Sequence, residues 1–339
     1  MKTGIVGASG YLGTELLRLC AGHEEFEVVV AAASSMAGTP VTDRAPSLAA
    51  VYPALVYDET DVALLDGLDL VFCALPHGVS QGLMPELAAR VGMVVDLAAD
   101  FRLRDPGLYP TWYGEEHRVP ELLDQFVYGL PELDRAGIAD ARLIAAAGCY
   151  PTAAALALAP LVRAGVIERT GIIVDAASGV SGAGTSLTER LMFASADESF
   201  SAYSLLTHRH TPEIEQAIGG SVLFTPHLAP MVRGILATCY ARPSDGTAPS
   251  SSDVLEVLHE AYRGEPFIVV SADAPSTKAA SGSNCALLTA RVDERTGWVL
   301  VLCAIDNLIK GASGQAIQCA NVALGLPETT GLPLAGLYP

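Results

Sequence analysis

One cysteine has neighbours that suit it to react: Cys149, in Ala147-Gly148-Cys149-Tyr150-Pro151-Thr152. The apolar run Leu143-Ile144-Ala145-Ala146 before it reads as a strand, and Pro151 to Val162 reads as an Ala- and Leu-rich helix with Pro151 in its first turn. A thiol at a helix N-terminus has its thiolate stabilised. A free thiol of pKa about 8.5 is only slightly ionised near neutrality, and making it mostly thiolate takes ~2.7 kcal/mol. A helix terminus supplies only ~0.3–1 kcal/mol of that. A second group must help, and histidine is the usual partner of a reactive cysteine. Thr207-His208-Arg209-His210-Thr211-Pro212-Glu213 offers two, on a loop that feeds a helix start at Thr211 to Glu213. The other cysteines, Cys20, Cys73, Cys239, Cys285, Cys303 and Cys319, lie in apolar strands or helices, where the residue behaves as a small hydrophobe. No C-x-x-C pair or metal-ligand spacing occurs, so reduced thiols and no metal centre are expected.

A second chemical feature opens the chain. The strand Thr3 to Val6 runs into Gly7-Ala8-Ser9-Gly10-Tyr11-Leu12-Gly13, and a helical pattern follows from Thr14 to Ala21. Such a turn aims backbone N–H groups at a pyrophosphate and sets it at the positive end of a helix. The spacing is G-x-x-G-x-x-G instead of G-x-G-x-x-G, but its place after the first strand points to a dinucleotide. The second strand ends in Ala31-Ala32-Ala33-Ser34-Ser35 with no carboxylate to read a ribose diol. A carboxylate would repel a 2′-phosphate and hydroxyls accept one, so NADP is expected in preference to NAD, with Arg44 the nearest cation.

The elements that must carry these residues alternate. Apolar runs at Val28 to Ala32, Leu70 to Ala74, Met93 to Asp96 and Leu143 to Ala146 interleave with helical patterns such as Val79 to Arg90, which predicts a parallel sheet covered by helices. Beyond the Pro151 helix, strand-like segments at Ile172 to Ala176, Val222 to Pro226, Ile235 to Ala241, Phe267 to Val270, Cys285 to Val292 and Trp298 to Ala304 suit a largely antiparallel sheet. A loose loop is expected at Arg242 to Ser252 and a last helix at about Gly311 to Leu324. The fold class is therefore α/β: a Rossmann-type doubly wound sheet followed by an α+β domain.

Composition narrows the function. The 339 residues suffice for two cores, and a chain half apolar and 17% charged buries well. A net charge of −18 disfavours nucleic acid and anionic membrane as partners. The start of the chain has no signal-peptide pattern, and the most apolar window, Leu143 to Val162, is broken by Gly148, Pro151 and Pro160. A soluble, cytoplasmic protein is expected.

Taken together, Gly7 to Gly13, Ala74-Leu75-Pro76-His77-Gly78, Asp100-Phe101-Arg102-Leu103, Gly148-Cys149-Tyr150-Pro151-Thr152, His208-Arg209-His210-Thr211-Pro212-Glu213 and Ile305-Asp306-Asn307-Leu308-Ile309-Lys310-Gly311 resemble the N-acetyl-γ-glutamyl-phosphate reductase family. That family lies in the aspartate-semialdehyde dehydrogenase superfamily, and the likeness spans nearly the whole chain. One departure is Ala147, where the family usually has proline. The resemblance implies Cys149 as nucleophile and His208 as acid/base, with Arg102, Arg209 and His210 binding substrate. It implies cofactor contacts from Gly7, Ser9, Gly10, Tyr11, Leu12, Gly13, Ser34, Ser35, Leu75, Pro76, His77, Ser178, Gly179, Gly182 and Asn307. Residues 1–148 and 308–339 would form a discontinuous NADP-binding domain, and 149–307 a catalytic and oligomerisation domain, in a homodimer or homotetramer.

The implied reaction is NADPH-dependent reduction of an acyl phosphate to an aldehyde through a thioester, in arginine biosynthesis. Three alternatives stand beside it. A related reductase would take N-acetyl-aminoadipyl phosphate, another would take aspartyl phosphate, and a non-enzymatic sensor would bind NADPH without forming any covalent adduct.

Overall fold

Short strands buried on both faces need helices above and below them, and the first half of the chain meets that need. The computed structural model describes residues 1–338, and these divide into two compact units, Met1–Ala147 with Ala312–Leu332, and Gly148–Gly311 with the segment from Pro333. In the first unit, β1 (Lys2–Val6), β2 (Glu27–Ala32), β3 (Leu70–Cys73), β4 (Met93–Asp96), β5 (Val127–Gly129) and β6 (Leu143–Ala146) form one parallel sheet in the order β2-β1-β3-β4-β6-β5. Helices α1 (Tyr11–Cys20) and α2 (Ser80–Arg90) are crossovers between its strands. The order reverses direction between β1 and β3, which places the crevice for a ligand at the C-terminal end of β1.

The returning helix Gly314–Ala323 is part of this unit, as Gln315 donates from Nε2 to Gly129 O and Ser313 from Oγ to Leu12 O. It follows a single π-helical turn over Ile309–Ser313, so the regular helix starts three residues later than the sequence suggests. Strand β5 is three residues long and was not foreseen from the sequence pattern.

In the second unit, α3 (Cys149–Arg163) is buried along its length from Tyr150 to Val162. The sheet comprises β7 (Ile172–Gly179), β8 (Ser201–Ala202), β9 (Val222–Ala229), β10 (Ile235–Ala241), β11 (Ile268–Val270), β12 (Ala286–Val292) and β13 (Val299–Ile305), in the order β11-β12-β13-β10-β7-β9-β8. Most pairs are antiparallel, but β7–β9 and β11–β12 run parallel. Helix α4 (Thr211–Ile218) leads into β9 and contributes buried Ile214 and Ile218; α5 (Ser251–Ala261) starts with a capping box between Ser250 and Asp253. The tail does not stay with the first unit as expected. Asn284 N donates to Pro333 O and Leu337 N to Ser281 O, which fastens the tail to the second unit.

Among the described residues, no helix is long and apolar enough to cross a membrane. Six cysteines are buried and Cys149 is only half-buried. Burial pushes the thiols of Cys20 and Cys303 up to about 12 and raises those of Cys73, Cys239 and Cys285.

Candidate active site

The glycine turn is built around two close approaches. Gly7 has φ +83°, and a Cβ there would lie 2.3 Å from Ala74 O; a Cβ at Gly13 would lie 2.2 Å from Gly7 O. Both positions need glycine, the first for turn and approach and the second so that α1 can pack on β1. Gly10 is different, since its nearest neighbour would be an ordinary 3.5 Å contact. It caps α1 with no side-chain hydrogen bond, and the helical ladder opens with Thr14 N donating to Gly10 O at 2.8 Å. The amides of the first turn, from Tyr11 to Gly13, precede that bond, and α1 has no acidic residue there to compete with an anion. This bare cradle fits a pyrophosphate.

At the far end of β2, Ser34 and Ser35 are exposed on a short 3-10 turn. Ser34 Oγ accepts the Thr60 amide, and Arg44 Nε reaches Ser9 O at 3.4 Å, which brings the nearest cation to the edge of the glycine turn. The sequence alone did not show that Asp58 pairs through its backbone with the end of β2, accepting from Ala33 N and donating to Ala31 O.

Two residues expected to face ligand are instead held by the protein. His77 Nδ1 lies 2.5 Å from Asp100 Oδ1, and its ring rests on Tyr113 with centroids 4.3 Å apart. Burial raises the Asp100 carboxyl, but hydrogen bonds from His77, Gly78 and Gln81 outweigh it and bring the group down to about 2. Leu75 packs partly against the core of the unit and Pro76 is exposed. Arg102 is 7% exposed and donates from Nη2 to Leu97 O at 2.7 Å. Burial raises the Asp96 carboxyl to about 7, and hydrogen bonds from Ser80 and Ala98, followed by the Arg102 charge, offset part of that shift.

In the second unit, Cys149 is the first residue of α3 and Gly148 its N-cap, with Thr152 N donating to Gly148 O at 2.8 Å. Pro151 sits in the first turn, where its missing N–H leaves no gap in the ladder. On one side the backbone of Gly311 closes in, since a Cβ there would lie 2.9 Å from Cys149 Cβ. Next along, Tyr150 OH donates to His227 O and accepts from Tyr203 OH at 3.1 Å, a pair not foreseen from the sequence.

The two histidines are neighbours, with ring centroids 4.8 Å apart, and both pack against the Tyr150 ring. His210 N donates to His208 Nδ1 at 3.1 Å, so the neutral ring of His208 carries its proton on Nε2. Burial, and then the Arg209 charge, lower its pKa to about 4. Arg209 itself is exposed, whereas His210 is buried at the N-cap of α4.

Residues 178–184 form the other expected cofactor loop. Asn307 is 2% exposed: its Oδ1 accepts from Gly234 N at 2.7 Å and its Nδ2 donates to Ser181 Oγ at 2.9 Å. A Cβ at Gly182 would lie 2.8 Å from Ser178 Oγ, and Gly179 N donates to Gly234 O. Asn307 therefore shapes this loop and tethers it to the start of β10; its amide is turned to the protein.

A family model described as the semialdehyde dehydrogenase NAD binding domain matches residues 2–141, and one described as the semialdehyde dehydrogenase dimerisation domain matches residues 149–307. The chain belongs to the semialdehyde dehydrogenase family, an α/β family with a unit that binds NAD or its phosphate. Proteins named N-acetyl-gamma-glutamyl-phosphate reductase stand near it. The one from Symbiobacterium thermophilum is 49% identical, covering 100% of this chain and 99% of its own; that from Desulforudis audaxviator is 47% identical with 100% of both covered, and that from Pseudomonas syringae 46% with 100% of both. The chain's branch of the family is thus that of the N-acetyl-γ-glutamyl-phosphate reductases, which makes it an oxidoreductase acting on acyl phosphates. Among solved structures, aspartate semialdehyde dehydrogenase II of Vibrio cholerae, complexed with ASA, matches at TM-score 0.70 and 16% identity, covering 95% of this chain and 97% of its own. Aspartate semialdehyde dehydrogenase with NADP from Candida albicans matches at TM-score 0.69 and 18% identity over the same shares, and both share the fold.

Proposed function

We propose that this chain reduces N-acetyl-L-glutamyl 5-phosphate to N-acetyl-L-glutamate 5-semialdehyde and phosphate, with Cys149 as the nucleophile and NADPH as the reductant. The family branch makes this reductase step one of arginine biosynthesis. The observation that carries the chemistry is that Cys149, alone of seven cysteines, is not sealed in apolar core and heads a helix whose next residue, Tyr150, packs against both histidines.

The Cys149 thiolate attacks the acyl carbonyl, a C–S bond forms and the C–O bond to phosphate breaks, leaving a thioester and phosphate, which takes up the one proton the reaction consumes. NADPH, when bound, supplies the hydride that turns the thioester carbon into a hemithioacetal oxyanion. First-turn amides of α3 and the Nε2–H of His208 donate to that oxyanion. Its collapse breaks the C–S bond, releases the aldehyde and returns the thiolate. His208, kept neutral by burial, holds its Nε2–H on the oxyanion through the collapse, and the proton taken up by phosphate comes from solvent. Exposed Arg209 is the cation at hand for the acyl phosphate, in preference to buried Arg102.

The glycine cradle, with exposed Ser34 and Ser35 at the end of β2 and Arg44 beside Ser9, would hold the dinucleotide and favour its 2′-phosphate. Asn307 and residues 178–184 would shape the nicotinamide side. The matched dimerisation domain makes a homo-oligomer the working state, and we take it as a dimer or a tetramer.

The direct test is phosphate-dependent reduction of NADP with N-acetylglutamate semialdehyde. Mass spectrometry of enzyme given acyl phosphate without reductant should show the acyl group on the peptide bearing Cys149; a bare peptide under those conditions refutes the thioester route. In the same assay kcat/KM with NADPH should exceed that with NADH at least about tenfold, a preference of ~1.4 kcal/mol. Parity would remove Ser34 and Ser35 from the site. His208→Ala should lower kcat about 100-fold, the usual cost of removing one donor to an oxyanion. His210→Ala should do less, and the reverse order would move the role to His210.

A further inference from the structure

Glu213 is the third residue of α4, where a glutamate ordinarily folds back onto the amide of its own N-cap. Here one of its oxygens reaches a different helix. Its Oε1 accepts the N–H of Gly148 at 2.8 Å, and the residue is 0% exposed. A carboxyl taken out of water is unfavourable unless hydrogen bonds hold it, so this contact is a costly one to build. Gly148 is the N-cap of α3, and Cys149 is the next residue. The same helix that carries Glu213 begins at the His208–His210 loop.

We propose that Glu213 is the positioning residue of the nucleophile: its carboxyl oxygen fixes the Gly148 peptide and thereby the direction of the Cys149 sulfur and of the first-turn amides. This inference rests on the reading of Cys149 as nucleophile. Glu213 supplies one side of a clamp whose other side is the Gly311 backbone beneath Cys149 Cβ. It also couples the two halves of the chemistry, since one short helix places the imidazoles at its start and holds the thiol's backbone from its third residue. A side chain deep in the protein thus sets a geometry in which displacement of about 1 Å can lower a rate ~100-fold.

Two uncharged replacements separate positioning from charge. Glu213→Gln keeps an oxygen acceptor in place, and Glu213→Ala removes it, so a difference between them reports the hydrogen bond alone. Glu213→Ala should lower kcat by about 30-fold or more, while Glu213→Gln stays within about fivefold of the parent and KM for NADPH changes little in either. Iodoacetamide alkylation of Cys149, followed against pH, should have a midpoint at least about half a unit higher in Glu213→Ala than in Glu213→Gln, because the loosened turn stabilises the thiolate less. Equal impairment of both variants, equal alkylation midpoints, or full kcat in Glu213→Ala would each overturn the inference. Should Glu213→Ala not fold, Glu213→Asp withdraws the oxygen by one methylene and should show the same loss. Retention of turnover by Cys149→Ser, by contrast, would remove the nucleophile reading and leave the alkylation contrast standing.

Discussion

Cys149→Ser lowers turnover of the acyl phosphate by about three orders of magnitude or more, which corresponds to ~4 kcal/mol of lost transition-state stabilisation. A hydroxyl in the same place ionises far less readily than a thiol, and a helix terminus supplies too little to make up the difference. NADPH binding is unaffected, because the glycine turn lies in the other unit. Steady-state kinetics paired with a fluorescence titration of NADPH checks both halves. Activity within tenfold of the parent would mean that no thioester forms at this position. Weakened NADPH binding would instead mean that the substitution disturbs the protein more widely than its chemistry requires.

The second large effect is expected at Gly13. A methyl group there meets Gly7 O at 2.2 Å and Ala8 Cα at 2.5 Å, both backbone atoms that cannot turn aside. Helix α1 must move off β1, so Gly13→Ala should lose ~1–3 kcal/mol of stability and lower Tm by about 3–10 °C. The displaced helix terminus should also weaken NADPH affinity by about 100-fold, roughly 2.7 kcal/mol. Gly10→Ala is the control, since its methyl would make only a 3.5 Å contact with Gly7 O. It should leave Tm nearly unchanged and still weaken NADPH by crowding the bare side of the turn. Melting curves and binding titrations of the two variants therefore separate packing from ligand contact; equal affinities in both variants and parent would place the dinucleotide elsewhere.

The first sheet was largely legible in the sequence because its strands are short apolar runs separated by helical patterns. Met93–Asp96 and Leu143–Ala146 fall where the pattern puts them. Val127–Gly129 was missed because three residues carry no periodicity. In the second sheet the alternation along Ala286–Val292 shows one covered face but not strand direction. The parallel pairings of β7 with β9 and β11 with β12 thus had no signal. Around Cys149, residue types were enough to bring the thiol and two histidines into view. They could not reveal that Asn307, His77 and Arg102 turn their polar groups to the protein, since a side chain's partner is set by tertiary structure. Glu213 had one local signal, an acidic residue in a helix's first turn, and that signal pointed to its own N-cap instead of Gly148.

The burial of six sulfurs in strands and helices has a practical outcome. In the folded protein, maleimide dyes and mild peroxides have a single addressable handle, so probe incorporation counts working centres one for one. Transient exposure to oxidant would silence the enzyme without unfolding it, and a reducing agent would restore it so long as the damage stops at the sulfenic stage.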